Sequence, residues 1–251
     1  MRRYELREDQ WLKIAPLLPG KATDPGRSGE DNRQFVQAVL WIARSGAPWR
    51  DLPERYGKWN TVFQRFNRWS KKGIWQQVFG ALQEPDLDWI LLDSTIIRAH
   101  QHAAGVKKKY RQTDEALGRS RGGYSSKIHV TVDALGNPRR VMLSAGQVHD
   151  LQMAACLLEG ECTGAVVADK AYDSDVLIAF IEQAGAQVVI PPKANRLEKR
   201  AYDENLYADR NKVERFFNRL KHYRRLATRY EKTARNFLSF WQLACAVMLT
   251  L

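Results

Sequence analysis

Two short, uninterrupted apolar runs restrict most strongly what this chain can fold into. The first covers residues 89–92 and the second residues 164–168, and each is followed at once by an aspartate, Asp93 or Asp169. A run of four or five apolar residues without polar alternation is typical of a central strand that is buried on both faces. The sequence therefore predicts an α/β domain with a sheet flanked by helices.

The segments around these runs predict a mixed sheet. Residues 127–133 alternate polar and apolar side chains, residues 135–138 turn the chain, and residues 140–143 return. This pattern predicts an antiparallel hairpin with one face exposed to solvent. Further apolar patterns predict another short strand at residues 187–190 and helices at residues 152–158, 175–184, 209–230 and 236–251.

The first 84 residues follow a helical period instead. Helices are predicted over residues 10–18, from residue 35 to a stop at Gly46, and over residues 59–72. In the third helix Val62, Phe63, Phe66 and Trp69 share an apolar face. The opposite face is polar and basic, with Gln64, Arg65, Arg68, Lys71 and Lys72.

This arrangement predicts a helix-turn-helix-like domain that contacts DNA through the basic face. A three-helix bundle with a solvated charged face would give the same pattern. The period changes at residues 84–86, which predicts a small all-helical domain over residues 1–84 and an α/β domain over residues 85–251.

The charge balance favours a polyanionic partner. The 251 residues include 40 Lys and Arg against 28 Asp and Glu, a net charge of +12. Such a surplus suits phosphate binding, although a basic protein with another role would share it. The segment with Lys107, Lys108 and Lys109 is predicted to be a loop that either contacts a DNA backbone or is simply solvated.

Other sequence features narrow the class of protein. Three cysteines without a CxxC pair indicate a reducing, cytoplasmic environment. The N-terminus has no apolar core of a signal peptide, and residues 237–251 are too short to span a bilayer, so no membrane association is expected. No GxxxxGK[ST] motif is present, so no nucleotide cofactor is expected.

Three carboxylates are candidates for a metal site. Asp93 and Asp169 follow predicted buried strands, and Glu214 shares one stripe of the predicted last long helix with Tyr207, Arg210 and Lys221. An all-oxygen set suits Mg²⁺ or Mn²⁺, and two such ions can stabilise an in-line phosphoryl displacement. Two structural alternatives stay open, a turn capped by Asp169 and a salt bridge between Arg210 and Glu214.

The same residues lie in motifs that resemble a known family. The motifs are LLDSTIIRAHQ at residues 91–101, VVADKAYDSD at 166–175, GGYSSKIHVTVDALGNP at 122–138, and the helix RNKVERFFNRLKHYRRLATRYEK at 210–232. With the spacing Y-x2-R-x3-E-x6-K, they resemble the DDE transposases of bacterial insertion sequences, in the insertion-sequence-five group. The resemblance covers nearly the whole chain.

The resemblance implies an RNase-H-like catalytic domain in which Asp93, Asp169 and Glu214 hold two divalent metal ions. It also implies that Tyr207, Arg210 and Lys221 contact DNA near the cut end.

The implied activity is to bind the terminal inverted repeats, cleave the element ends and join the 3′-OH ends to target DNA. The resemblance further implies a homodimer that acts on double-stranded DNA in the bacterial nucleoid. A non-catalytic DNA-binding regulator and a metal-dependent nuclease without joining activity are the rival hypotheses.

Overall fold

A computed structural model describes residues 5–21, 23–24, 31–105, 115–120 and 122–251. The helices are α1 Glu8–Ile14, α2 Asn32–Ser45, α3 Trp59–Lys71, α4 Ile74–Ala81, α5 Gln101–Ala104, α6 Leu151–Leu158, α7 Asp175–Gln183, α8 Glu204–Ala208, α9 Asn211–Lys221, α10 Arg224–Ala227 and α11 Ala234–Leu249. The strands are β1 Trp89–Ala99, β2 Gly118–Ser120, β3 Gly123–Val132, β4 Pro138–Ala145, β5 Ala165–Ala168, β6 Gln187–Val189 and β7 Thr228–Arg229.

The chain forms two compact units that are not continuous in sequence. A helical unit takes Met1–Gln83, His100–Glu115 and Leu220–Leu251, and a sheet unit takes Glu84–Ala99 and Ala116–Arg219. The first boundary between them, after Gln83, coincides with the change of period predicted at residues 84–86. The helical unit also includes the C-terminal residues, so the division into domains 1–84 and 85–251 stays a prediction.

Helix ends in the helical unit follow local sequence signals. At the start of α2 the Asp31 carboxylate accepts a hydrogen bond from the Gln34 amide at 2.8 Å. The helix ends as predicted at Gly46, whose φ of +73° is left-handed. A Cβ on Gly46 would lie 3.0 Å from the Arg224 Cβ, so glycine suits this position for its conformation and for its lack of a side chain.

The apolar C-terminal segment forms the centre of the helical unit. Helix α11 packs on α3 and α4, and most of its residues are buried. Near its end, Gln10 donates a buried hydrogen bond to the Thr250 hydroxyl over 3.2 Å. This burial explains why the segment is apolar on all sides. No helix in the described part of the chain is long and apolar enough to cross a membrane.

The sheet unit has a mixed sheet in the order β2-β3-β1-β5-β6, with β4 also pairing β3. Strand β3 runs antiparallel to β1 and β4, whereas β1, β5 and β6 are parallel to one another. One core packs α6 and α7 with side chains of β1, β5 and β6, including Ile90, Val166 and Val188. The predicted α/β class with a partly antiparallel sheet is confirmed.

The prediction of a solvent-exposed face on the hairpin was wrong for β3. Lys127, His129 and Thr131 alternate with apolar residues as expected, yet all three are buried. Helix α6 packs against β3 and β4. The Lys127 ammonium is satisfied there by the Val148 carbonyl at 2.9 Å and the Asp150 carboxylate at 3.0 Å.

Two other predicted elements have different bounds. Strand β1 runs on to Ala99, so Asp93 lies within the strand instead of at its end. The single helix predicted over residues 209–230 is divided into α9 and α10, followed by β7. Tyr207 lies in α8 and Arg210 precedes α9, so these two residues do not share one continuous helical stripe with Glu214.

Candidate active site

Strand register brings two aspartates side by side. In the parallel pair of β1 and β5, Leu92 is the partner of Ala168, and β5 ends there. Asp93 and Asp169 each come one residue later, so both lie at the carboxyl end of β5. Carboxyl ends of parallel strands are where sites form in open α/β sheets.

Backbone amides hold both carboxylates in place. Asp93 accepts a hydrogen bond from the Ser94 amide at 2.7 Å, and Asp169 accepts one from the Ala171 amide at 2.8 Å. The second bond caps a short 3₁₀ turn at Lys170–Tyr172, so the capping role considered for Asp169 is confirmed. The cap uses the Oδ1 atom and leaves Oδ2 for another partner.

Asp93 lies in an electrostatic environment that disfavours its charge. Burial raises the pKa of Asp93 to about 6, with the Ser94 amide and Arg210 opposing the shift and the charges of Asp169 and Glu214 adding to it. The three candidate carboxylates are therefore close enough for the charges of two of them to act on the third. A cation among them would relieve this repulsion.

The Arg210 guanidinium already joins two of the carboxylates. Its Nη2 lies 3.1 Å from Asp93 Oδ2 and its Nη1 lies 2.5 Å from Glu214 Oε1. The salt bridge between Arg210 and Glu214, considered as a structural alternative, is thus present, and Arg210 also pairs with Asp93. Asp93 and Glu214 are consequently placed to share one positive charge.

The donor set fits a hard divalent cation, although the side chains do not form a closed cage. Among the described residues, no three Asp, Glu, His or Cys side chains are close enough together to hold a metal ion as they stand. Arg210 occupies the position between Asp93 and Glu214. Oxygen donors from Asp93, Asp169 and Glu214 are the ligands that Mg²⁺ and Mn²⁺ prefer.

Tyr207 is the next predicted site residue on this side of the sheet unit. Its ring meets that of Tyr202 edge-on, with 5.5 Å between centroids. Burial raises the pKa of Tyr207, Arg210 opposes the shift, and the charge of Asp169 adds to it. The structure thus brings Tyr207 together with Arg210 and the aspartates. Lys221 ends α9 within the helical unit, and its role at this site stays a prediction.

The predicted DNA-contacting residues of α3 are not equivalent. Gln64, Arg68, Lys71 and Lys72 are exposed, whereas Arg65 is half-buried. The Arg65 guanidinium lies 4.3 Å from the centre of the Phe35 ring and 4.8 Å from that of Trp69, and it donates to the Asn32 side chain. Arg65 therefore stabilises the packing of α2 and α3. Lys107, Lys108 and Lys109 lie outside the described residues.

A polar cluster beside Asp93 was missed by the sequence reasoning. The Asp150 carboxylate accepts a 2.7 Å hydrogen bond from the Ser94 hydroxyl and pairs with Lys127. His129 is fully buried and donates to or accepts from the Ser144 hydroxyl at 2.7 Å. Burial lowers the pKa of His129 to about 4, against the effect of Asp150, so the ring is neutral near pH 7. The alternation of β3 had placed Lys127 and His129 in solvent.

Comparison with known families gives matches over almost the whole chain. Residues 6–79 match the model of a putative transposase of the IS4/5 family, and residues 84–249 match the model of a transposase DDE domain. The chain is 43% identical over 128 residues to a putative transposase for insertion sequence element IS6501 of Brucella ovis, covering 49% of this chain and 97% of that protein. It is 46% identical over 104 residues to the uncharacterized protein y4sN of Sinorhizobium fredii, covering 41% of this chain and 83% of that protein.

A solved structure shares the fold. The structure of piggyBac transposase in a synaptic complex with hairpin DNA aligns with a TM-score of 0.53 and 10% sequence identity, covering 95% of this chain and 70% of that one. At this identity the likeness concerns the fold alone. Together with the match to the transposase DDE domain, it confirms the RNase-H-like architecture.

Proposed function

Because this chain belongs to the DDE transposases of the IS4/5 type, we propose that it binds the terminal inverted repeats of an insertion sequence, cleaves DNA at the element ends and joins the freed 3′-OH ends to target DNA. The observation that carries the proposal is the β1–β5 register, which places Asp93 beside Asp169. Glu214 is linked to Asp93 through Arg210.

Asp93, Asp169 and Glu214 are the proposed ligands of two divalent cations, Mg²⁺ or Mn²⁺. When bound, such ions activate a water or a 3′-OH as nucleophile and stabilise the charge that develops on the attacking and leaving oxygens. The protein contributes positioning, since amides of Ser94 and Ala171 hold the two aspartates at the carboxyl end of β5.

Arg210 has two successive partners in this proposal. Without DNA its guanidinium neutralises Asp93 and Glu214. On DNA it is released to a backbone phosphate near the cut end, which matches the planar fork of an arginine. Tyr207 lies beside it and is proposed to contact the same end of the DNA.

The proposal is tested with duplexes that carry the inverted repeats flanking the coding sequence. With Mg²⁺ we expect cleavage at the repeat ends, and with a pre-cut 3′-OH end plus a plasmid we expect joined products. Cleavage without joined products would identify a nuclease, and binding without cleavage would identify a regulator.

Because two ends must be cut and joined together, we also propose a homodimer on DNA, to be checked by sedimentation with and without the repeat duplex.

Replacing Arg210 is expected to increase metal affinity. Arg210→Ala removes the positive charge that competes for Asp93 and Glu214. The two partly exposed pairs contribute about 0.2–1 kcal/mol each, so Mn²⁺ should bind roughly two- to thirtyfold more tightly, measured from the electron paramagnetic resonance of free Mn²⁺. Arg215→Ala, on the exposed face of α9, is the matched control and should bind Mn²⁺ as the wild type does. Weaker binding by Arg210→Ala would contradict the shared cation position.

The exposed basic face of α3 is expected to contact DNA phosphates. Arg68→Ala combined with Lys72→Ala should weaken binding of the repeat duplex about tenfold and reduce the slope of log affinity against log salt by about two, since two phosphate contacts are lost. Fluorescence anisotropy at several salt concentrations measures both quantities. The control pair Lys13→Ala with Lys199→Ala removes the same charge from exposed positions elsewhere and should keep the slope. An equal loss in both pairs would move DNA recognition away from α3.

A further inference from the structure

A cleft of about 970 Å³ lies within the helical unit, and none of the three candidate carboxylates is among its lining residues. Its volume is at the upper end of the range found for small-ligand sites, about 300–1,000 Å³. Ring side chains dominate the wall, with Trp49, Trp59, Phe63, His100, His102 and Tyr230 among the lining residues. Phe63 was predicted on the buried face of α3, and it is half-buried because it faces this cleft.

Several of these rings form a continuous series. His100 lies 4.4 Å from His102 and 5.0 Å from Tyr230, measured between ring centroids. The Arg225 guanidinium continues the series, 5.5 Å from the Tyr230 ring and 5.8 Å from the Trp49 ring. Arg225 is buried and paired with Glu231 at 2.5 Å, so it supports the rings and adds no net charge.

Exposed cations lie on the same cleft. Arg50 is exposed and its guanidinium lies 5.6 Å from the centre of the Trp59 ring, and Lys232 is exposed as well. Planar rings offer stacking surfaces for a nucleobase, and exposed cations beside them suit a phosphate backbone. Bases inside a duplex are already stacked on both faces, so a ring-lined cleft is suited to bases that are unpaired.

We propose that this cleft binds unpaired nucleotides of a DNA strand, with bases stacked on Trp59 and Tyr230 and a phosphate held by Arg50. The inference deepens the proposed function, because it specifies single-stranded DNA at or near an opened end as the ligand of the helical unit. The cleft supplies stacking and charge without base-specific hydrogen bonding, so binding is sequence-tolerant.

The test compares two fluorescein-labelled ligands of the full chain in EDTA, the octamer dT8 and an octamer of abasic sites with the same phosphates. We expect dT8 to bind the more tightly. Trp59→Leu and Tyr230→Leu should each weaken dT8 binding by about five- to 150-fold, the range for loss of one stacked base, and leave binding of the abasic octamer unchanged. Arg50→Ala should weaken binding of both octamers alike.

Matched variants separate stacking from folding. Trp59→Phe keeps a ring and should bind dT8 nearly as the wild type does, while Tyr124→Leu removes an exposed tyrosine of the sheet unit and should change nothing. Equal affinity of the wild type for the two octamers, or wild-type dT8 binding by both Trp59→Leu and Tyr230→Leu, would overturn the proposal. Cleavage is absent in EDTA, so a chain that binds dT8 but never cuts repeat ends with Mg²⁺ would refute the proposed function and leave the cleft assignment intact.

Discussion

Asp169→Asn is expected to reduce cleavage of repeat-end DNA by about a thousandfold or more. The amide keeps an oxygen that can accept the Ala171 hydrogen bond, so the turn after β5 is preserved and only the negative charge is removed. Loss of a metal ligand removes several kcal/mol of transition-state stabilisation, and each 1.4 kcal/mol is a factor of ten in rate. Single-turnover cleavage with Mg²⁺ measures the effect.

The matched control is Asp175→Asn, an exposed aspartate that pairs with Arg196 at the start of α7. It should cleave at the wild-type rate. Both variants should bind the repeat duplex as the wild type does, because DNA recognition is assigned elsewhere. Full cleavage by Asp169→Asn with unchanged binding would show that Asp169 is not a ligand and would leave its turn-capping role as its whole function.

Asp93→Asn is expected to stabilise the metal-free protein at neutral pH. The pKa of Asp93 is raised by burial from 3.8 to about 6, so between these values the folded chain keeps a proton that the unfolded chain has released. Stability therefore falls as pH rises from about 4 to about 6, and the loss is complete above that window. Asparagine does not titrate, so the variant lacks this pH dependence. The difference in free energy of unfolding between Asp93→Asn and the wild type should therefore be larger at pH 7.5 than at pH 4, by up to about 3 kcal/mol.

Urea denaturation in EDTA at the two pH values provides this comparison, with the difference at pH 4 as the internal control. A difference between variant and wild type that stays constant with pH would disprove the raised pKa of Asp93.

Mg²⁺ gives a second measurement, since a ligand that binds only the folded state raises the melting temperature. The wild type should gain stability on adding Mg²⁺ and Asp93→Asn should gain much less, because one of its ligands is missing.

The candidate site shows where local sequence patterns were sufficient. Apolar runs before Asp93 and Asp169 indicated buried strands, because a strand that is apolar on both faces has no face suited to solvent. Both runs are strands in the structure, although β1 continues beyond Asp93. The resemblance to DDE transposases, which depended on motif order and spacing, gave the family.

Local patterns failed where partners are distant in the chain. The strict alternation around Lys127 predicted exposure, yet α6 covers that face and Asp150 and the Val148 carbonyl satisfy the buried ammonium. The stripe drawn through Tyr207 and Glu214 assumed one helix, whereas the chain leaves α8 and begins α9 between them. Neither outcome is encoded in a helical or strand period, since each depends on packing between elements.

By itself, the sequence determined where the apolar runs of β1 and β5 lie, where α2 stops and which three carboxylates belong to the family's motifs. Those properties follow from periodicity, side-chain size and the special conformation of glycine, which act over a few neighbouring residues. Only the tertiary structure decided that Leu92 pairs with Ala168, that Arg210 joins Asp93 to Glu214, and that the ring-lined cleft combines residues from three separate stretches of the chain. Strand register and long-range ion pairs are set by the free energy of burying and pairing distant groups together, which no local pattern contains.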